Sequence, residues 1–163
     1  MQLTKTFAVN AIAPDVLAQL RASDDLGHWP LLVVDEDGGS PLRCCLRAAE
    51  PGEEILLVSY APLRRWARAR GVDVAAYDEV GPVFIHGYDC GGAAHDGWPS
   101  DFRGSPRVLR AYDANGRIVG GTVLSEDDQP EPAVEELLRD SRVVFVHARA
   151  LVFGCFTFAI ERR

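Results

Sequence analysis

Apolar and polar residues alternate most clearly at the end of the chain, where residues 142–163 read RVVFVHARALVFGCFTFAIERR. Residues 143–149 and 155–161 are rich in Val, Phe and Ile and flank Gly154, the pattern of a β-hairpin. Val144, Val146 and Ala148 alternate on the first strand, and Phe156, Phe158 and Ile160 on the second. The two sets share a face only if paired residue numbers sum to an even value, which a three-residue loop at 151–153 provides. His147 then stands opposite Thr157 and Arg149 opposite Cys155, with His147 and Cys155 as diagonal neighbours on the polar face.

The same reading carries through the rest of the chain. Residues 2–12 form a weak strand or extended entry. Val16, Leu17 and Leu20 predict a short amphipathic helix over 14–22, opened by Pro14. Residues 31–34 and 42–46 read as strands on either side of a loop, DEDGGSP. In the second of these, Arg43 and Cys45 would face one way and Leu42, Cys44 and Leu46 the other. Residues 55–60 form a further strand and could pair antiparallel with 42–46. PLRRWARARG (62–71) is a short helix or lid with Trp66 tucked down. Residues 80–87 form a strand in which Pro82 suits the first position. Residues 88–103 are the longest structureless stretch. Residues 108–113 and 117–123 make a second hairpin through Asp113-Ala114-Asn115-Gly116. A helix over 131–140 places Val134, Leu137 and Leu138 inward.

Strands do not alternate regularly with helices. The expected class is therefore α+β: a single domain over 1–163, with a mainly antiparallel, curled sheet of six to seven strands and two or three helices. The length of 163 residues supports one full core. A net charge of −7 argues against a nucleic-acid partner. There is no signal-peptide pattern and no apolar run of membrane-spanning length, so the expectation is a cytoplasmic protein that engages no membrane. Four cysteines without CxxC spacing, two of them adjacent, read as free thiols in a reducing compartment.

Four stretches resemble the uncharacterised bacterial family known as domain of unknown function 1203: PLRCCLRAAEPGEEILLVSY (41–60), YDEVGPVFIH (77–86), LRAYD (109–113) and FVHARALVFGCFTFAIER (145–162). The resemblance brings no activity. It implies that Arg43, Tyr60, Tyr77, His86, Arg110, Tyr112, His147 and Cys155 are the polar positions to watch. The chain departs from the family pattern at Leu42, where relatives often carry Cys, and at Ala150, where they often carry Asn. Any chemistry resting on those two residues would be altered here.

Three kinds of function compete. The favoured one is a pocket for a small anionic molecule, lined by Arg43, Tyr60, His86, Arg110 and Tyr112, in which arginines clamp a carboxylate or phosphate and Tyr and His add directional donors. The second is an enzyme of acyl transfer or hydrolysis, with Cys155 as nucleophile and His147 as its base. The third is an interaction module, with a homodimer as one assembly, acting through a strand edge or the Trp66 patch. His86, Cys90 and His95, with Asp89 and Asp96, offer five possible metal ligands in eleven residues. Their spacing fits no known finger and Gly91-Gly92 loosens the loop, so neither a metal nor a cofactor is assigned. Glycine-rich phosphate loops and the GxSxG elbow are absent.

Overall fold

The computed structural model describes residues 5–163, so residues 2–4 of the expected entry strand lie outside the described part. The elements in chain order are β1 (Phe7–Asn10), α1 (Pro14–Ala22), β2 (Leu31–Asp35), β3 (Glu53–Tyr60), α2 (Pro62–Arg70), β4 (Gly81–Ile85), β5 (Arg107–Tyr112), β6 (Ile118–Leu124), α3 (Pro130–Arg139), β7 (Phe145–Ala150) and β8 (Phe156–Arg162). All three helices begin on a proline at the first helical position, where its missing N–H costs nothing. This is an α+β fold with antiparallel strand pairing throughout. Among the described residues, eight strands divide into a five-stranded sheet, β1-β8-β7-β5-β6, and a three-stranded sheet, β2-β3-β4.

One face of the large sheet presents Leu109, Ala111, Val146, Ala148, Phe158 and Ile160 to α3, which contributes Val134 and Leu138. Trp98 and Phe102, from the long segment between β4 and β5, close this core against the Phe158 ring. The second core lies between α1, the small sheet and Phe156, and buries Leu17, Leu20, Leu42, Ile55, Val58, Val83 and Ile85.

The closing hairpin follows an even-sum register, with Val146 opposite Ile160 and Ala148 opposite Phe158. The sum is larger by two than the three-residue loop requires, so His147 faces Ala159 rather than Thr157. A register shift between Ala148 and Arg149 then sets Arg149 against Phe156 rather than Cys155. The loop has four residues, 151–154, closed by Ala150 N–H donating to Cys155 O at 2.9 Å. The irregularity rotates Phe156 away from Phe158 and onto the His147 side, where the two rings lie 4.9 Å apart. The even-sum pattern came from hydrophobic alternation, whereas the bulge depends on backbone geometry that alternation does not report.

A second correction concerns residues 42–46, which form no strand. Leu42 N–H bonds Arg47 O at 2.9 Å, Leu46 N–H bonds Leu42 O at 3.0 Å, and Pro41 bridges Ala48. Leu46 adopts a left-handed conformation with φ 58°. The segment is a tight loop held to β4 by Arg43 N–H donating to Phe84 O, and β3 pairs with β2 and β4 instead. The apolar run matched strand periodicity, but burial of Leu42 and Leu46 is achieved here from a turn.

Candidate functional site

The polar face of the large sheet is organised by Glu79, which lies just before β4. Its Oε1 accepts from Arg110 Nη1 at 2.8 Å, and its Oε2 accepts from Arg149 Nη2 at 3.1 Å and from the Tyr112 hydroxyl. Arg110 and Arg149 come from neighbouring strands β5 and β7, and Tyr112 follows Arg110 by two residues on β5, so strand periodicity delivers these donors to one carboxylate. Burial, then the Glu79 hydrogen bond, pushes the Tyr112 hydroxyl up to about 12. Glu79 also lines a cavity of about 190 Å³ with Tyr60, Arg149, Cys155 and Phe156.

Two further arginines are set differently. Arg43 is 3% exposed and Arg107 is 6% exposed. Arg43 donates from Nε to Phe156 O at 2.8 Å and from Nη1 to Pro41 O. Arg107 rests over the Phe102 ring at 5.3 Å, and its Nε has no hydrogen-bond partner. Among the described residues neither makes an ion pair with an Asp or Glu, and the first four residues carry no carboxylate side chain. Burial lowers the pKa of both, Arg43 to about 10, and the charge of Arg107 lowers Arg43 further. A cavity of about 330 Å³ lies between Arg107, Phe102, Pro41 and the 151–153 loop. Arg43 sits between the two cavities, because Pro41 walls one and Phe156 the other.

The remaining predicted residues are distributed as follows. Tyr60 and Cys155 share the smaller cavity, and Arg110 and Tyr112 reach it through Glu79. His147 lies behind it, packed among Tyr112, Phe145 and Phe156, with Nδ1 unpaired. Burial first, then the charges of Arg149 and Arg110, hold this imidazole neutral, with its pKa well below the ordinary value. The Cys155 thiol points to Phe153 O at 3.7 Å, and no hydrogen bond joins it to His147 among the described residues. Two arginines of the basic stretch are paired with carboxylates, Arg64 with Asp78 and Arg65 with Asp25, and Trp66 packs on Phe145. For an interaction surface, the exposed apolar residues include Leu31, Leu32 and Val34 on the edge strand β2, Trp29 just before it, and Val152 and Phe153 on the closing loop.

His86 lies apart from the Glu79 cluster, one residue beyond β4, with Arg47 Nη2 3.1 Å from its Nε2. Its Nε2 donates to Glu53 Oε1 at 2.6 Å, and Glu53 in turn accepts two bonds from Arg47. That pairing, led by Arg47, pulls the Glu53 carboxyl far below the usual range. The other ring nitrogen, Nδ1, faces Cys44 Sγ at 3.3 Å and Cys45 Sγ at 3.8 Å. The two sulfurs share a hydrogen bond that lowers Cys45 and, with burial, raises Cys44. Cys90 joins this group, whereas His95 turns to its own loop, accepting from Gly97 N–H at 3.2 Å.

Sequence reasoning missed Glu79, Arg107, Cys44 and Cys45. Glu79 stands within the stretch 77–86, where one acidic residue in an acidic chain carries no distinguishing signal. Strand periodicity over 42–46 places Cys44 and Cys45 on opposite faces, whereas the segment is a turn.

No helix among the described residues is long and apolar enough to cross a membrane. No curated protein and no solved structure matches the chain. A family model described as "Protein of unknown function (DUF1203)" matches residues 39–162, which span the arginine cavities, the Glu79 cluster and the cysteine turn. The chain belongs to that family.

Proposed function

We propose that this protein binds a small oxyanion, a carboxylate or a phosphate, at the base of the closing hairpin, with Arg107 and Arg149 lining the flanking cavities, Arg43 buried between them and Tyr60 as a neighbouring donor. One observation carries the reading: two arginines are almost fully buried without a carboxylate partner. A buried charge without compensation costs several kcal/mol, and a bound oxyanion would supply the compensation. Guanidinium groups suit it because their planar fork meets two oxygens at once. The flanking cavities, about 330 and about 190 Å³, favour a small molecule over a polymer. Arg110 and Tyr112 act indirectly, by fixing Glu79 so that it orients Arg149 without neutralising Arg43 or Arg107. The reading treats the chain as one domain working in a reducing cytoplasm, in keeping with four free thiols.

Titration calorimetry with inorganic phosphate and, separately, with acetate and succinate tests the proposal. Binding should weaken at least about 10-fold, or 1.4 kcal/mol, in Arg43→Met and Arg107→Met. It should be unchanged in Arg64→Met, whose arginine is paired with Asp78 outside the cavities. Absence of heat with every anion, or equal affinity in all three variants, would overturn it. A Cys155 reaction is a separate outcome of the same preparation: rapid iodoacetamide alkylation of Cys155 that phosphate blocks would move the reading toward chemistry at that thiol.

A further inference from the structure

The Cys44, Cys45, His86 and Cys90 cluster serves no purpose in the anion reading. It lies on the other side of the 41–48 turn and opens onto a different cavity, of about 290 Å³, lined by Cys45, Cys90, His95 and Asp101. Its four ligand atoms all lie within 4.8 Å of one another. We propose that these four side chains hold a single zinc-class ion in a closed, structural Cys3His site.

Geometry supports this first. With Zn–S near 2.3 Å and Zn–N near 2.05 Å, a tetrahedral site has S···S edges of about 3.8 Å and S···N edges of about 3.6 Å. The Cys44–Cys45 sulfur separation is 3.9 Å, and His86 Nδ1 lies 3.3 and 3.8 Å from those sulfurs. No pair needs to close by more than about 1 Å to reach the tetrahedral edge. The adjacent cysteines can act together because they sit on a turn, with Leu46 left-handed just after them, rather than on a strand. A strand would have sent the two sulfurs to opposite faces.

The surroundings match what a thiolate–imidazole metal site requires. A metal-binding histidine usually donates its other ring N–H to a carboxylate, which fixes the ring and the tautomer. His86 Nε2 lies 2.6 Å from Glu53 Oε1, and Nδ1 faces the sulfurs of Cys44 and Cys45. Arg47 holds Glu53 in place through two bonds. The backbone N–H of His86 donates to Cys44 Sγ at 3.2 Å. Three sulfurs and one imidazole select zinc or a softer ion over magnesium and calcium, which take oxygen ligands. Four protein ligands complete a tetrahedron, so the site is structural rather than catalytic.

Such a site has a clear mechanical role. Residues 86–106 contain only one short turn of 3-10 helix, Ser100–Phe102, yet they carry Trp98 and Phe102 into the main core. A metal bridging Cys90 and His86 to the 42–47 turn would anchor the start of that segment and so hold both aromatic rings in register.

The test uses the full chain, purified under reducing conditions with zinc supplied and the excess removed. Elemental analysis should find one zinc per chain in the wild type and in Cys155→Ser, whose sulfur lies outside the cluster. Cys90→Ser, a change at a half-buried loop position, should weaken zinc binding at least about 100-fold, and Glu53→Gln about 10- to 100-fold. Cobalt loaded into the unmodified chain should show the visible absorption of a tetrahedral thiolate complex, a readout that does not depend on any variant folding. Negligible zinc in the wild type would overturn the proposal, as would a cobalt spectrum without thiolate character. Retention of zinc by Cys90→Ser at wild-type affinity, or a chain lighter by two hydrogens through a Cys44–Cys45 disulfide with no metal bound, would do so equally. Failure of phosphate to bind would leave all of these outcomes unaffected.

Discussion

Two polar clusters penetrate the interior of this protein, and they are mirror images in their chemistry. Around Glu79, Arg43 and Arg107 the groups are donors: guanidinium and phenol N–H and O–H, with one carboxylate to receive them. Around His86 the atoms that gather are potential metal ligands: three sulfurs and an imidazole nitrogen. The first cluster has more positive charge than its carboxylate can balance. The second presents electron pairs to a common point with its outer shell, Glu53 and Arg47, already in place. Burial makes the difference informative, since on the surface water would satisfy either set and neither arrangement would require a partner.

The comparison can be broken or sharpened by experiment. The largest effect is expected at the sulfur cluster. At free zinc a thousandfold above Kd, binding stabilises the fold by about 4 kcal/mol. Thermal unfolding should therefore fall by roughly 8–16 °C when a chelator strips the ion, and recover on reloading. At the arginine cluster, Glu79→Ala removes the acceptor shared by Arg110, Arg149 and Tyr112. A loss of about 3 kcal/mol is expected in denaturant unfolding, the low end for a broken buried pair because Arg110 is about a third exposed.

His147 supplies a pH test. Its folded pKa is depressed by burial and by Arg149 and Arg110, so the unfolded chain takes up a proton that the native state refuses. Stability from this group is fully present above about pH 6.5 and falls by up to about 1.4 kcal/mol per pH unit below it. In unfolding measured from pH 7 to pH 5, His147→Gln should show a correspondingly shallower acid loss, and parallel curves would discount the role of His147. The smallest effect is the most discriminating. Arg107→Met should leave stability unchanged or raise it by about 1 kcal/mol, because it replaces an uncompensated buried charge with an apolar chain of similar length. A large destabilisation instead would mean that Arg107 is satisfied by the protein itself, and the case for an anion would weaken.

Much of the architecture was legible from periodicity. The three helices, the 108–123 hairpin and the closing hairpin all announce themselves through spacing and turn residues. Asp113 does what an Asx residue does in a turn, with Oδ1 accepting from Asn115 and Arg117 N–H, while Gly116 takes the left-handed position at φ 71°. Arg110, Tyr112 and Tyr60 could be singled out because polar residues on apolar strands demand a partner. The identity of the partner was not legible. Glu79 comes from a loop 31 residues before Arg110, and nothing local marks it as their acceptor.

The cysteine turn shows the opposite failure. Leu42 to Leu46 carries strand-like hydrophobicity, yet a single left-handed residue and the bridge from Pro41 to Ala48 convert it into a loop. Local spacing offers His86 and Cys90 as possible ligands together with His95, Asp89 and Asp96. Chain folding completes them with Cys44 and Cys45 instead, some forty residues earlier.

Local sequence determined which stretches extend, which coil into helices and which face of each is apolar, because those depend on neighbours two to four residues apart. It also determined the inventory of chemistry, four thiols and a set of arginines on an otherwise acidic chain. Tertiary structure decided which of those groups meet: the hairpin bulge that turned Phe156 toward His147, the carboxylate that took Arg110 and Arg149, and the turn that aimed adjacent sulfurs at one imidazole. Those outcomes depend on backbone geometry and contacts across tens of residues, where a shift of one position changes the partner and no local pattern records the choice.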